Sequence, residues 1–185
     1  MTQTFHIVGL TGSLRKASMN KTLLKNAALF LPENFTYTYA DLGDLPLYNQ
    51  DLEEDLPESV KQFAELCSSA DGILISTPEY NGLITGVLKN ALDWVSRKNI
   101  GAPLGTKPVA IMGATTGPGG TARAQTNLRQ LLFALDMDSV NRPELKLSQA
   151  HMKFDDEGRL SDFGTLQVLQ QLVDKFVQKV EKSKA

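Results

Sequence analysis

Apolar and polar residues follow two rhythms along this chain, and the rhythms take turns. Phe5 to Thr11 is an almost unbroken apolar run, the pattern of a strand buried on both faces. From Met19 the period becomes helical, with Leu23, Leu24, Ala27, Ala28 and Leu31 on one stripe. Phe35 to Ala40 alternates and is rich in aromatic and β-branched residues, which predicts a second strand near a sheet edge. A long loop runs from Asp41 to Pro57. Glu58 to Ser69 then predicts a helix with Val60, Phe63, Ala64 and Cys67 on one stripe. Asp71 to Thr77 predicts a third strand, stopped by Pro78, and Gly86 to Lys98 a helix carrying Val87, Leu88, Ala91, Leu92 and Val95. Lys107 to Ala114 predicts a fourth strand, followed by a Gly-rich turn and a helix from Gly120 to Leu135. A fifth strand is expected near Val140. After a polar turn at Asp155 to Gly158, a last helix is expected over Asp162 to Val180, with Leu166, Leu169, Leu172, Val173 and Phe176 inward.

Strands that alternate with helices imply a parallel sheet covered on both faces, because parallel strands need crossover connections. In such sheets ligands bind beyond the carboxyl ends of the strands, where the strand order reverses. Three loops therefore become the places to look for chemistry: Gly12 to Asn20, Pro78 to Gly86, and Ala114 to Gly120.

The first loop reads Gly-Ser-Leu-Arg-Lys-Ala-Ser-Met-Asn and leads into a helix. Ser13, Ser18 and Asn20 offer small polar groups to an anion, Arg15 offers a guanidinium fork, and the helix start adds N–H groups and a positive dipole end. The same residues also suit an ordinary strand-to-helix connection capped by Ser or Asn. No Gly-Lys-Thr follows, so a nucleoside triphosphate is not implied. The second loop contains Pro78, Glu79, Tyr80, Asn81 and Gly82. Pro78 cannot continue a ladder, Asn81-Gly82 is a strong turn signal, and the turn can present its backbone edgewise to a flat heterocycle. Tyr80 is equally readable as a ring-packing or a surface residue. In the third loop Thr115 and Thr116 supply hydroxyls, and Gly117 with its neighbouring glycines permits close approach of a planar ligand. Gly117, Gly119 and Ala122 also match the spacing of a dinucleotide-binding turn, although that turn normally comes after the first strand.

Composition narrows the field. The chain of 185 residues has no Pro- or Ser-rich linker and is expected to form a single domain over 1–185. A net charge of −2, with both signs interspersed, leaves no footprint for nucleic acid or an anionic membrane. No apolar run reaches membrane-spanning length and no leader pattern opens the chain, so the expected location is the cytoplasm. Cys67 is the one cysteine and is expected to be a buried helix residue. His6 and His151 lack evident partners, and neither a catalytic triad nor a metal cluster stands out.

With the three loops in hand, the chain resembles the NAD(P)H-dependent FMN reductase family of flavodoxin-like proteins, which includes quinone, azo-dye and chromate reductases. The resemblance rests on Gly12-Ser13-Leu14-Arg15 with Ser18 and Asn20, on Pro78-Glu79-Tyr80-Asn81-Gly82, and on Gly113 to Gly117 followed by Gly120 and Arg123-Ala124-Gln125. It implies a three-layer α/β sandwich with a five-stranded parallel sheet in the order 2-1-3-4-5. It implies FMN as cofactor, its phosphate held by Ser13, Arg15, Ser18 and Asn20, its ring lined by the residues from Pro78 to Gly82, and the ring's polar edge met by Thr115, Thr116 and Gly117. NADPH or NADH would be the co-substrate, a small molecule such as a quinone the acceptor, and the assembly a homodimer or homotetramer. No catalytic side chain is required, because the flavin carries the chemistry. Thr115-Thr116 departs from the Ser-Pro expected in many relatives, which bears on the shape of the loop.

Two other functions fit the same topology. A flavodoxin-type electron carrier would usually show a strongly acidic docking face, which a near-neutral chain does not promise. A phosphoacceptor signalling domain would want an acidic residue at the end of the third strand, where this chain has Thr77.

Overall fold

The structure is a computed structural model and describes residues 3–184. The elements are β1 (Phe5–Thr11), α1 (Met19–Ala28), β2 (Phe35–Ala40), α2 (Glu58–Ser69), β3 (Gly72–Ser76), α3 (Gly86–Val95), β4 (Pro108–Ala114), α4 (Ala122–Ala134), β5 (Asp138–Ser139), β6 (Leu145–Leu147) and α5 (Phe163–Ser183). All ladders between these strands are parallel, and the order is β2-β1-β3-β4-β5, with β6 also on β4.

The apolar strands are explained by what lies on each side of them. Ile7, Leu74, Ala110 and Met112 point to one core with Leu23, Leu24, Leu172 and Phe176 from α1 and α5. Val8, Leu10, Ile73, Ile75, Val109 and Ile111 point to another core with Phe63, Leu88, Leu92, Leu128 and Leu132 from α2, α3 and α4. Alternate residues of the same strand thus feed opposite cores, so a strand buried on both faces has no polar rhythm. Cys67 lies in the second core, and burial pushes its thiol up to about 12 against a small opposing effect of Lys107.

The expected single fifth strand is corrected: two short strands share that position. β5 pairs with Pro108 and Val109 at the start of β4, and β6 pairs with Met112, Gly113 and Ala114 at its end. Between them the chain leaves the ladder at Asn141 to Glu144, where Pro143 has no N–H to donate. Helix ends shift as well. α3 stops at Val95, where Ser96 donates to the Asp93 carbonyl, rather than running on to Lys98. α1 stops at Ala28, and Leu31 packs on the core from the turn beyond.

The long loop after β2 is docked on α3. The Pro46 carbonyl accepts hydrogen bonds from Trp94 Nε1 (2.8 Å) and Asn90 Nδ2 (2.9 Å), and Tyr48 N–H donates to Asn90 Oδ1 (2.7 Å). The Tyr48 ring meets Trp94 edge-on, at 5.0 Å between centroids. That cover buries Trp94 and accounts for the helix being apolar on more than one side.

Candidate functional site

All three candidate loops meet at the carboxyl ends of β1, β3 and β4, where they line one cleft of about 150 Å³. The strand order places it where β1 leads outward to β2 on one side and β3 and β4 follow on the other, the topological reversal of the sheet. From the first loop come Ser13, Arg15, Ser18 and Asn20; from the second Pro78, Glu79 and Tyr80; from the third Thr115 and Thr116. Asn81, Gly82 and Gly117 are not part of that lining, and Gly82 faces a neighbouring cavity with Leu83 and Arg123. Met19 and Ala114, which the sequence did not single out, contribute to it.

The first loop is an anion cradle in its donor chemistry. Ser18 is the N-cap of α1, its hydroxyl oxygen accepting the Lys21 N–H at 3.2 Å, so the hydroxyl proton is free to be donated elsewhere. Helix starts leave N–H groups without intrahelical acceptors, and those of Met19 and Asn20 stand at the cleft. Arg15 is exposed and has no carboxylate partner among the described residues. Two residues before Ser13, the buried Thr11 hydroxyl has no hydrogen-bond partner among the described residues either. Asn20 does something different from the other three. Its buried amide bridges Ala114 and Ser76, leaving one N–H of Nδ2 uncommitted.

The second loop is a two-residue hairpin. Tyr80 and Leu83 exchange both backbone hydrogen bonds at 3.1 Å, and Asn81 and Gly82 take φ of 55° and 79°. Positive φ at both central positions is the tight hairpin turn that Asn-Gly favours. Tyr80 remains about half exposed at 52 %. Glu79 is turned away from solvent: Oε2 accepts the N–H groups of Arg123 (2.9 Å) and Ala124 (3.1 Å), and Oε1 accepts Arg123 Nε (2.9 Å). Burial works to raise its pKa, but the Ala124 N–H and the Arg123 guanidinium outweigh it and hold the carboxyl below the usual carboxylate range. These bonds also answer the dinucleotide-turn reading of Gly117, Gly119 and Ala122. The N–H groups at which α4 would meet a pyrophosphate are already held by Glu79.

The third loop is stapled to β6 and the segment after it. Thr115 N–H donates to the Leu147 carbonyl (3.0 Å), Ala150 N–H to the Thr115 carbonyl (2.9 Å), and Gly117 N–H to Thr115 Oγ1 (3.3 Å). Gly120, at φ 61°, lies so close to the Lys146 backbone that a Cβ there would come within 2.9 Å of the Lys146 carbonyl oxygen. β6 therefore sets the height of this loop at the cleft.

The histidines stay out of the site. His6 sits on β1 with Nε2 at 2.9 Å from Thr38 Oγ1 and Nδ1 at 3.2 Å from Ser69 Oγ, and His151 is exposed in a short 3₁₀ turn. Among the described residues no three His, Cys, Asp or Glu side chains cluster as metal ligands would. No helix of the described residues is long and apolar enough to cross a membrane.

A parallel sheet of this order, with a donor-rich cradle beside a projecting hairpin at its reversal point, is the flavodoxin-like fold with a candidate anion-binding cleft. Comparison with known proteins places it more closely: residues 5–152 match the family model described as NADPH-dependent FMN reductase. The chain belongs to that family. It is 42 % identical over 172 residues to an NAD(P)H-dependent FMN reductase of Pseudomonas aeruginosa, covering 92 % of each chain. It is 42 % identical to a 2-hydroxy-1,4-benzoquinone reductase of a Burkholderia species, over 92 % of this chain and 93 % of that one. Among solved structures it superposes with a TM-score of 0.89 on FerB, a flavoenzyme NAD(P)H:(acceptor) oxidoreductase of Paracoccus denitrificans. That protein is 34 % identical, with 97 % of this chain and 98 % of that one covered.

Proposed function

We propose that the cleft binds FMN and that the protein is an NAD(P)H-dependent reductase whose acceptor is a quinone. The observation that carries this reading is the convergence of Arg15, Ser13, Ser18 and the start of α1 on one side of a cleft with the Tyr80–Leu83 hairpin on the other. The residues fit the group. One end of the cleft is all donors, as a phosphate needs, and its one carboxylate, Glu79, is already bonded to Arg123 and α4.

Arg15, Ser13 and Ser18 hold the phosphate, supported by the positive end of α1. The hairpin from Pro78 to Gly82 would line the flat ring, and Thr115, Thr116 and Gly117 would meet its polar edge. When bound, FMN would supply the redox chemistry, as hydride acceptor toward NADPH or NADH and as source of the electrons that, with two protons, reduce a quinone to the quinol. The half-exposed Tyr80 ring flanks the approach used by both substrates. The names of the relatives support a quinone or a flavin as acceptor; azo dyes and chromate are further candidates that the family resemblance implies. The exposed Leu83 and Tyr80 beside the cleft support a homodimer or homotetramer in which a neighbouring copy covers the hairpin. A cytoplasmic setting accords with the reduced nicotinamide this reaction consumes.

The test is the visible spectrum of the FMN-loaded protein under nitrogen. Flavin bands that bleach with NADPH or NADH and return on adding a benzoquinone are expected. Bands that persist with both nicotinamides would favour an electron carrier, and absence of flavin binding would overturn the assignment of the cleft. Light scattering coupled to size exclusion checks the assembly, and a strict monomer would remove the covered-hairpin proposal.

A further inference from the structure

The second loop is joined to α4 by the side chain of Glu79. Thr121, which precedes α4, makes no side-chain cap, so the first N–H groups of that helix need an acceptor from elsewhere. Glu79 supplies it from 44 residues upstream, taking the Arg123 N–H and Ala124 N–H on one oxygen and Arg123 Nε on the other. Arg123 in turn lies along the hairpin: a Cβ on Gly82 would be 3.6 Å from its Nε. The carboxylate is largely covered, whereas the arginine side chain is 79 % exposed. A largely covered anion in the lining of the cleft thus meets, on its outer side, the dipole end of α4 and a surface cation.

We propose that Glu79 and Arg123 form a positioning and charge-setting pair for bound FMN. Both of the Glu79 carboxylate oxygens are already committed, so it serves the cofactor as the remote cap that locks the hairpin onto α4. The two charges, with the end of α4, set the electrostatic balance between oxidised and reduced cofactor. This inference rests on FMN occupying the cleft. Reduction adds negative charge to a flavin at neutral pH, so an anion in the wall opposes reduction and a cation favours it. Removing either partner must then move the midpoint potential, and in opposite directions.

The experiment is a spectroelectrochemical titration of the FMN-loaded wild type, Glu79→Gln, Arg123→Gln and Arg123→Lys. Glu79→Gln should raise the potential and Arg123→Gln lower it, each changing the ratio of reduced-state to oxidised-state FMN affinity on the order of tenfold, the size of a charge interaction across a partly solvated gap. Arg123→Lys keeps the charge and should stay near wild type. Shifts of one sign, no shift in either Gln variant, or a Lys variant displaced as far as the Gln variant would overturn the proposal. Failure of the wild type to bind FMN would instead remove the reading on which it stands. Melting of the cofactor-free proteins gives the second readout: Glu79→Gln should melt lower than wild type, because the cap loses its charge, whereas Arg123→Gln keeps both backbone bonds to Oε2 and should stay close to wild type. An unchanged melting temperature of Glu79→Gln would remove the positioning half of the proposal.

Discussion

The side chain of Asn20 is bonded to both backbone groups of Ala114, donating from Nδ2 to its carbonyl at 2.9 Å and accepting its N–H on Oδ1 at 2.8 Å. Ser76 Oγ donates to the same Oδ1 at 2.9 Å. In effect, one amide in the first turn of α1 stands in for a strand at the ends of β3 and β4. Asn20 thus acts first on the frame that holds the cradle.

Asn20→Ala should therefore destabilise the protein with no cofactor present. It would leave the Ala114 N–H and carbonyl and the Ser76 hydroxyl without partners in a buried place, and a cost of about 3 kcal/mol is expected from groups of this kind. Urea denaturation of the FMN-free variant measures it. An unchanged midpoint would make Asn20 a ligand and nothing more.

Arg15 should behave in the opposite way. It is exposed and makes no ion pair among the described residues, so Arg15→Ala should leave the melting temperature of the cofactor-free protein where it was. FMN affinity should fall by roughly 1.5–3 kcal/mol, the worth of a charge-assisted hydrogen bond. Quenching of flavin fluorescence during titration reads the affinity directly.

Gly113 marks where the second and third loops leave the sheet. A Cβ there would overlap Thr121 Oγ1 and the Thr77 carbonyl oxygen, and the latter, as backbone, cannot move aside without shifting the root of the hairpin. Gly113→Ala should cost about 1–3 kcal/mol by overpacking and weaken FMN binding with it. Thermal melting with and without FMN separates the two effects. A variant as stable as the wild type would show that the roots of the two loops yield readily.

Asp71 ties stability to pH. Burial tends to raise its pKa, but the His6 N–H at 2.8 Å and the Lys184 ammonium at 3.0 Å outweigh that and hold the carboxyl below its usual value. A group whose folded pKa is depressed stabilises fully above the unfolded value, about 3.9 for Asp, and loses that contribution as pH falls through the folded value. Asp71→Asn should therefore flatten the acid limb of the stability profile while lowering stability at neutral pH. Melting temperatures of the cofactor-free proteins from neutral to strongly acidic pH check it; parallel acid limbs would contradict it.

The frame of this fold was legible because burial leaves a local trace. β1, β3 and β4 read as strands from unbroken apolar runs, and Asn81-Gly82 announced its hairpin because few other dipeptides adopt positive φ twice. The nine expected side chains that line the cleft all lie shortly after the end of a strand, where a parallel sheet puts its ligands. The illegible features share a cause. β6 is only Leu-Lys-Leu, too short for a periodic signal, and the partners of Asn20 and Glu79 lie 94 and 44 residues away. Ala114 and Met19 enter the lining as β4 and α1 bring them there, so neither side chain advertised it. Trp94 is covered by the Pro46 carbonyl, 48 residues upstream, and by the Tyr48 ring, a contact that leaves no local trace in the chain.

The break between β5 and β6 bears on how copies of this chain can meet. An uninterrupted edge strand is a template onto which another chain can zip. Here that edge offers a two-residue strand, a departure at Asn141 to Glu144, and a three-residue strand. No stretch of it is long enough to propagate a shared sheet. Association through that side must proceed by side-chain packing, which selects a partner by shape, and the protein gains resistance to fibrous aggregation at the margin of the sheet closest to the third loop.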